Sequence, residues 1–314
     1  MSARLDCVLV SPGNRRRIYQ GLADELAAVE PPVWAGLMAT YLRAAGRRVE
    51  ILDAAAEGLG PEEVGRRVAA MQPRLAAVVV YGQQPSASTQ VMPGARECGR
   101  GIREHAPGTP ILMAGGHVAA LPERTLEEEP CDFVAGGEGM ATISGLLDAM
   151  ETACPDFRRV PGLHYREAGE LRHNPAPPLV LDLDRTLSGV AWDLLPPSRY
   201  RAHNWHCLGG LPRAPYAALY TTLGCPYRCT FCCIQAPFRA GEAALGQRAN
   251  SYRRWTPAHV VEEIARLARD EGVRSFKIAD EMFVLDEAHV LAICDGLADL
   301  RLDLNLWAYA RVDT

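Results

Sequence analysis

Gly224-Cys225-Pro226-Tyr227-Arg228-Cys229-Thr230-Phe231-Cys232-Cys233 places Cys225, Cys229 and Cys232 at C-x3-C-x2-C spacing in one short loop. Such a loop can wrap three thiolates around one corner of a small iron–sulfur cluster. Three protein ligands cannot close a four-iron cube, so one iron is left for a small molecule, which points to chemistry rather than support. A structural zinc knot wants four donors, usually as two separated pairs. No second pair follows here, Cys233 abuts Cys232, and Cys207 lacks a paired ligand. A disulfide framework fits poorly with a chain of 314 residues whose first residues, Met1 to Asp6, form no apolar signal core.

Around the loop, residues 216–314 read as three β/α units. Tyr216 to Thr222 is an apolar strand leading into the cysteines. The polar stretch 237–254, with Gly241 and Gly246, predicts a long loop or lid. Thr256-Pro257 is a helix start, an N-cap hydroxyl followed by proline at the first position. Val260, Val261, Ile264, Leu267 and Ala268 form that helix's apolar stripe, and Gly272 stops it. Val273 to Ala279 is a second strand ending at Asp280-Glu281. Asp286 caps a helix carrying Val290, Leu291, Cys294, Leu297 and Leu300. Leu304 to Ala310 is a third strand, ending at Arg311-Val312-Asp313. Charged residues thus gather where strands finish, the rim that carries chemistry in β/α barrels. A carboxylate from Asp280 or Glu281 there is well placed to accept an ammonium group.

Residues 1–150 alternate short apolar runs with amphipathic stretches: Leu5 to Val10, Val49 to Leu52, Leu75 to Tyr81, Pro110 to Ala114 and Asp132 to Ala135 read as strands. Helices are expected after Pro31-Pro32, from Pro61, around Gly94 to His105, near Pro122 to Glu129, and up to Met150. The fold class is α/β: a flavodoxin-like, doubly wound parallel sheet in front of a partial β/α barrel. Small or polar loops follow strands one, three, four and five. They are Ser11-Pro12-Gly13-Asn14, Gly82 to Thr89 with Ser86, Gly115-Gly116-His117, and Gly136-Gly137-Glu138-Gly139. These lie at the carboxyl edge, where such sheets bind ligands. Periodicity alone admits FMN, a nucleotide, a phosphoacceptor or a docking scaffold, and no G-x-G-x-x-G follows strand one.

Residues 151–215 form a bridge with a hairpin, Leu163 to Arg166 and Leu171 to His173, then an irregular connector in which Trp192, Tyr200 and Trp205 read as packing groups between domains. His203 and His206 are pocket candidates beside Cys207. The net charge of −5, without a basic run, argues against a nucleic-acid partner. The basic residues are almost all arginine; Lys277 is the only lysine. Cys7, Cys98, Cys131, Cys154, Cys207 and Cys294 are scattered and read mostly as small apolar residues. No apolar run reaches the ~18 residues of a membrane span, and a reducing cytoplasm is expected.

The cysteine loop resembles the signature of the radical S-adenosylmethionine (SAM) superfamily in its spacing, in Phe231 just before the last cysteine, and in the strand it follows. The first 150 residues ahead of such a loop are similar to the cobalamin-binding class of that superfamily. Gly115-Gly116-His117, Leu121-Pro122-Glu123 and Gly136-Gly137-Glu138-Gly139 carry that likeness. The resemblance implies a [4Fe–4S] cluster held by Cys225, Cys229 and Cys232, with SAM on the open iron and Phe231 against the adenine region. It places Asp280-Glu281 where the family takes the SAM amino group, and leaves Arg311 for the SAM carboxylate or a substrate anion. Cobalamin would lie against Ser11, Gly82, Ser86, Gly115, Gly116, His117, Gly137 and Glu138.

One departure stands out. Many cobalamin proteins carry Asp-x-His-x-x-Gly after the first strand, whereas Ser11-Pro12-Gly13-Asn14-Arg15 has no histidine. The lower face of the corrin would then take no ligand from this loop. His117 is a second candidate for a cofactor contact, although a lone loop histidine is more often solvated.

In that family the reduced cluster splits SAM to a 5′-deoxyadenosyl radical, the radical takes hydrogen from substrate, and methylcobalamin supplies a methyl group. The expected activity is methyl transfer to an unactivated carbon or phosphorus centre of a small molecule, with an external flavodoxin- or ferredoxin-like electron donor. Radical oxidation or ring closure, as in tetrapyrrole ester cyclisation, is the enzymatic rival. A cobalamin-binding module without catalysis and a zinc scaffold are the others. Barrels of this class usually have six units, so three units lead us to expect a fragment with an open sheet edge.

Overall fold

Continuous apolar runs build the first sheet. Cys7–Ser11 (β1), Val49–Asp53 (β2), Leu75–Val80 (β3), Ile111–Gly115 (β4) and Phe133–Ala135 (β5) pair in parallel in the order β2-β1-β3-β4-β5. Cys7 sits opposite Val49 on one side and Leu75 on the other, so the order reverses between β1 and β3. Both faces of these strands are buried, as helices on each side demand. The structure is a computed structural model that describes residues 4–13, 19–82, 87–246 and 251–313.

The bridge hairpin forms, and it extends this sheet. Leu163–Glu167 (β6) runs antiparallel to β5, and Glu170–His173 (β7) runs antiparallel to β6. The helix after Pro31-Pro32 spans Val33–Ala44, and the next spans Pro61–Met71. The helix expected around Gly94 to His105 begins earlier, at Ser88, and keeps Pro93 inside it. Proline there removes one N–H from the second turn, and the carbonyl it leaves belongs to exposed Thr89, where water can reach it.

The second half has three parallel strands, Tyr216–Leu219 (β8), Ser275–Ile278 (β11) and Asn305–Ala308 (β12), in the order β12-β11-β8. Between them Thr222–Leu223 (β9) and Arg253–Arg254 (β10) make a small antiparallel pair. The run Tyr216 to Thr222, expected as one strand, is interrupted at Thr221. There the backbone N–H and the hydroxyl both donate to the Asp280 carboxylate, at 2.6 and 2.5 Å. The stretch 237–254, expected as a loop or lid, contains the helix Arg239–Leu245 as well as β10. Gly241 lowers helix propensity there, but a Cβ at that position would stand 2.8 Å from the Leu179 side chain and 2.9 Å from the Pro177 carbonyl. Close packing on the bridge therefore outweighs propensity. Thr256 and Asp286 cap their helices as expected, accepting from His259 N–H at 3.4 Å and His289 N–H at 3.0 Å, contacts worth about 1 kcal/mol each.

One apolar core runs from Leu9, Leu37 and Leu112 through Leu187 and Leu195 to Leu219, Ile264 and Phe276, so both sheets pack against the bridge. Polar contacts fix the angle between them. Lys277 is buried on β11, and its ammonium reaches both oxygens of buried Glu30, ahead of the first long helix, at 2.9 and 2.7 Å. Tyr200 donates to Asp53 at 3.0 Å, and burial pushes that carboxyl up to about 6. Trp192 donates to Glu263 at 2.9 Å. Trp205, read as a packing group, is exposed and stacks on His203 with ring centres 4.3 Å apart.

Candidate functional site

The cysteine loop leaves β9 at Gly224, whose φ of +81° and proximity to residue 251 admit no side chain: a Cβ would lie 2.2 Å from the Ser251 carbonyl. Fully buried Ser251 then receives the Cys225 N–H on its hydroxyl at 3.2 Å and donates to Gln235 Oε1 at 2.8 Å. Gln235 turns its amide back to the carbonyls of Cys225 and, at 3.1 Å, Tyr227. The backbone that carries the first cysteine is thus held before any metal arrives.

Cys225, Cys229, Cys232 and Cys233 are all half-buried free thiols. Burial pushes the Cys225 thiol up, with Glu281, Cys232 and Cys229 adding in the same direction. Among the described residues no three His, Cys, Asp or Glu side chains converge at metal-holding distances. The three thiols nonetheless share one anchored loop and feel one another's charge, a donor set that suits an iron–sulfur cluster. Because thiolates are the ligands, loading such a site would release protons. Phe231 is 92 % exposed on this loop.

The adjacent acids divide by environment. Asp280 is fully buried and both its oxygens accept from Thr221; burial pushes it up to about 6. Glu281 is half-buried, and its Oε2 is closed to water with no hydrogen-bond partner. Burial pushes that carboxyl up to about 8, and Asp280 adds to the rise. An unpartnered buried carboxylate oxygen beside Cys225 is costly unless a cationic donor meets it, so the geometry suits an ammonium group there. Arg311 stacks over Tyr227 of the cysteine loop at 4.4 Å and pairs with Asp313 at 2.7 Å, which raises its already high pKa.

The remaining candidate residues stand along the carboxyl edge of the first sheet. Ser11 ends β1, Gly82 follows β3, Gly115 ends β4 ahead of Gly116 and His117, and Gly137 and Glu138 follow β5. Ser86 lies outside the described residues. At Gly115 a Cβ would fall 2.0 Å from the Val80 carbonyl, whereas at Gly137 it would meet nothing nearer than the Pro237 carbonyl at 3.8 Å. The edge therefore admits no side chain at Gly115, while at Gly137 the Pro237 carbonyl lies at ordinary contact distance. His117 donates its N–H to Ser88 at 2.9 Å and sets Nδ1 3.0 Å from the Thr89 hydroxyl. Burial lowers its pKa, which keeps the imidazole neutral near pH 7. Glu138 makes a buried ion pair with Arg253 at 2.9 Å.

Sequence reading missed an aromatic wall. Trp34 stacks on Tyr81 with ring centres 4.2 Å apart and planes 7° from parallel, and donates to the Tyr220 hydroxyl at 3.2 Å. With Glu30, Gly82 and Ala279 these rings line a cleft between the edge of the first sheet and the barrel strands. Tyr81-Gly82 at the end of an apolar run was a signal for one side. Trp34, on the apolar face of a helix, carried none. Arg253 and Ser251 were missed because the stretch holding them, 237–254, read as a lid; Gln235, just ahead of it, carried no signal of its own.

Residues 19–147 match the B12 binding domain family. An uncharacterised methyltransferase of Pyrococcus horikoshii is 27 % identical over 285 residues, covering 90 % of this chain and 56 % of the relative. An anaerobic magnesium-protoporphyrin IX monomethyl ester cyclase of Synechocystis sp. is 28 % identical over 273 residues, covering 86 % and 49 %. The chain spans about half the length of the curated relatives it matches. Among solved structures, the radical SAM methyltransferase TsrM of Kitasatospora setae, with tryptophan substrate and a SAM analogue bound, superposes with a TM-score of 0.66 at 22 % identity, covering 98 % of this chain and 55 % of that one. A second TsrM structure holds cobalamin and a [4Fe-4S] cluster. That likeness shows the fold. No helix among the described residues is long and apolar enough to cross a membrane.

Proposed function

Since this chain belongs to the cobalamin-dependent radical SAM proteins, we propose that it is part of an enzyme that methylates an unactivated carbon or phosphorus centre of a small molecule. The observation that carries this reading is the orphaned Glu281 Oε2, close enough to act electrostatically both on Cys225 of the anchored loop and on Tyr81 at the edge of the sheet that matches the B12 binding domain. Cys225, Cys229 and Cys232 would hold the cluster, and Glu281 would accept the SAM ammonium. The segments after β1, β3 and β5, and the Gly115-Gly116 junction where β4 passes directly into a helix, would carry the cobalamin. When bound, these groups supply a hydrogen-abstracting radical and a transferable methyl group. The chain's own part is to bind, orient and exclude water. Asp280 fixes the end of β11 through Thr221, so that Glu281 is aimed rather than loose. The Trp34–Tyr81–Tyr220 wall closes the seam between cofactor edge and barrel, leaving about 30 Å³ there, room for no more than a water, so it excludes solvent rather than holding substrate. An external flavodoxin- or ferredoxin-like donor would reduce the cluster, in the reducing cytoplasm.

The cyclase relative, which covers 86 % of this chain, favours radical ring closure or oxidation as the second reading. Deuterated-methyl SAM separates the two. The protein, reconstituted without oxygen, is incubated with the label and the metabolite pool of the source cells. Methylation predicts a product whose new methyl group carries the deuterium intact. SAM consumption with an unlabelled, oxidised product would move the assignment to the cyclase-like reading.

A further inference from the structure

Arg253 joins the two halves of the site through one side chain. Its guanidinium is 4 % exposed and grips Glu138 with two nitrogens, at 2.9 and 3.2 Å. The same group donates to the Val180 carbonyl at 2.8 Å and to the Ser251 carbonyl at 3.0 Å, and lies over the Phe238 ring at 5.3 Å. Glu138 belongs to the Gly136–Gly139 loop that follows β5 at the carboxyl edge. Ser251 carries the hydroxyl that receives the Cys225 N–H, and its carbonyl is the surface against which Gly224 lies. A continuous chain of buried polar contacts therefore runs from the sheet edge to the first cysteine of the cluster loop: Glu138, Arg253, Ser251, Cys225.

We propose that Arg253 is a positioning residue that couples occupancy of the cobalamin edge to the geometry of the cluster loop. This rests on the cofactor assignments of the proposed function. A buried ion pair stabilises a fold no better than apolar packing of the same volume would, so its value here lies in direction. Arginine's planar fork accepts only one relative placement of a carboxylate, a constraint that lysine's single ammonium does not impose. A ligand that settles on the Gly136–Gly139 loop fixes Glu138; Glu138 fixes the guanidinium; the guanidinium fixes the Ser251 peptide on which Cys225 hangs. Linkage requires the reverse as well: loading the cluster loop must raise affinity for cobalamin by the same factor.

The test uses the protein reconstituted with its cluster under anaerobic conditions, hydroxocobalamin as probe, and amide hydrogen exchange across residues 224–235 as readout. In the parent, saturating hydroxocobalamin is expected to slow exchange in that loop by about tenfold. In Arg253→Lys, hydroxocobalamin should still bind, as followed by its visible spectrum, but the added protection should vanish. Arg253→Gln, which removes the charge and the two-pronged grip on Glu138, provides a second variant in which the added protection should also vanish. Full protection in either Arg253 variant would make the pair a mere strut and overturn the coupling. Loss of hydroxocobalamin binding in Arg253→Lys at unchanged melting temperature would make Arg253 part of the cofactor seat itself, which also overturns it. Failure of the parent itself to bind hydroxocobalamin would instead strike the assignment of the sheet edge and remove the coupling along with it.

Discussion

Cys225→Ala, Cys229→Ala and Cys232→Ala are each expected to reduce SAM cleavage by the reconstituted protein to background, whereas Cys233→Ala keeps both cluster and cleavage. The argument is one of donor number. A four-iron cluster with three thiolates has one open iron; with two it has no stable seat in the loop. Ser251 and Gln235 fix the backbone at Cys225, and the Cys232 N–H closes a turn onto the Cys229 carbonyl at 3.1 Å. Those anchors hold the backbone at Cys225 and between Cys229 and Cys232. Cys233, the next residue along, is pushed up by burial and then by Cys232. Iron counts and the visible absorbance of the reconstituted variants, measured alongside cleavage, check this. A cluster lost on changing Cys233 alone would mean the wrong trio was chosen.

Glu281→Gln should do two opposite things: weaken SAM and stabilise the protein without SAM. The first follows from removing a charged acceptor for the ammonium, a bond worth about 1.5–3 kcal/mol, so affinity should fall by roughly 10- to 150-fold. The second follows from linkage. Burial lifts this carboxyl from 4.5 to about 8. The folded chain therefore holds the proton more tightly than the unfolded one, and stability is lost as pH rises between those two values. Once the group ionises the cost is on the order of 3 kcal/mol, since the side chain is only half-buried. Glutamine cannot ionise, so the variant should melt several degrees higher than the parent at pH 8.5, with the gap narrowing toward pH 5.5. Equal melting curves at both pH values would show that Glu281 already has a partner in solution. Calorimetry at the two pH values and SAM binding by equilibrium dialysis supply the measurements.

Much of this arrangement was legible because it is written locally. The parallel strands announced themselves as continuous apolar runs, and Thr256 and Asp286 as caps, because those signals act over a few residues. The cysteine trio is equally local. What escaped was whatever depends on distant partners. Asp280 and Glu281 are neighbours of the same type, yet Thr221, 59 residues earlier, satisfies one and leaves the other open. Nothing in the pair itself says which. Glu138 read as a cofactor contact because it sits in a glycine loop at the right edge; its pairing with Arg253, 115 residues on, is invisible without the fold. Lys277 counted only as a compositional oddity, and its burial against Glu30 across 247 residues became meaningful once both sheets were in place. Gly241 misled the helix assignment because its contact with Leu179 and Pro177 is tertiary.

The most direct test of the central claim is low-temperature electron paramagnetic resonance of the anaerobically reconstituted, reduced protein, recorded with and without SAM. The account predicts a [4Fe–4S] signal from about four irons per chain, whose spectrum changes when SAM takes the open iron beside Glu281. Zinc in place of iron, or an iron signal that SAM leaves unchanged, would contradict it.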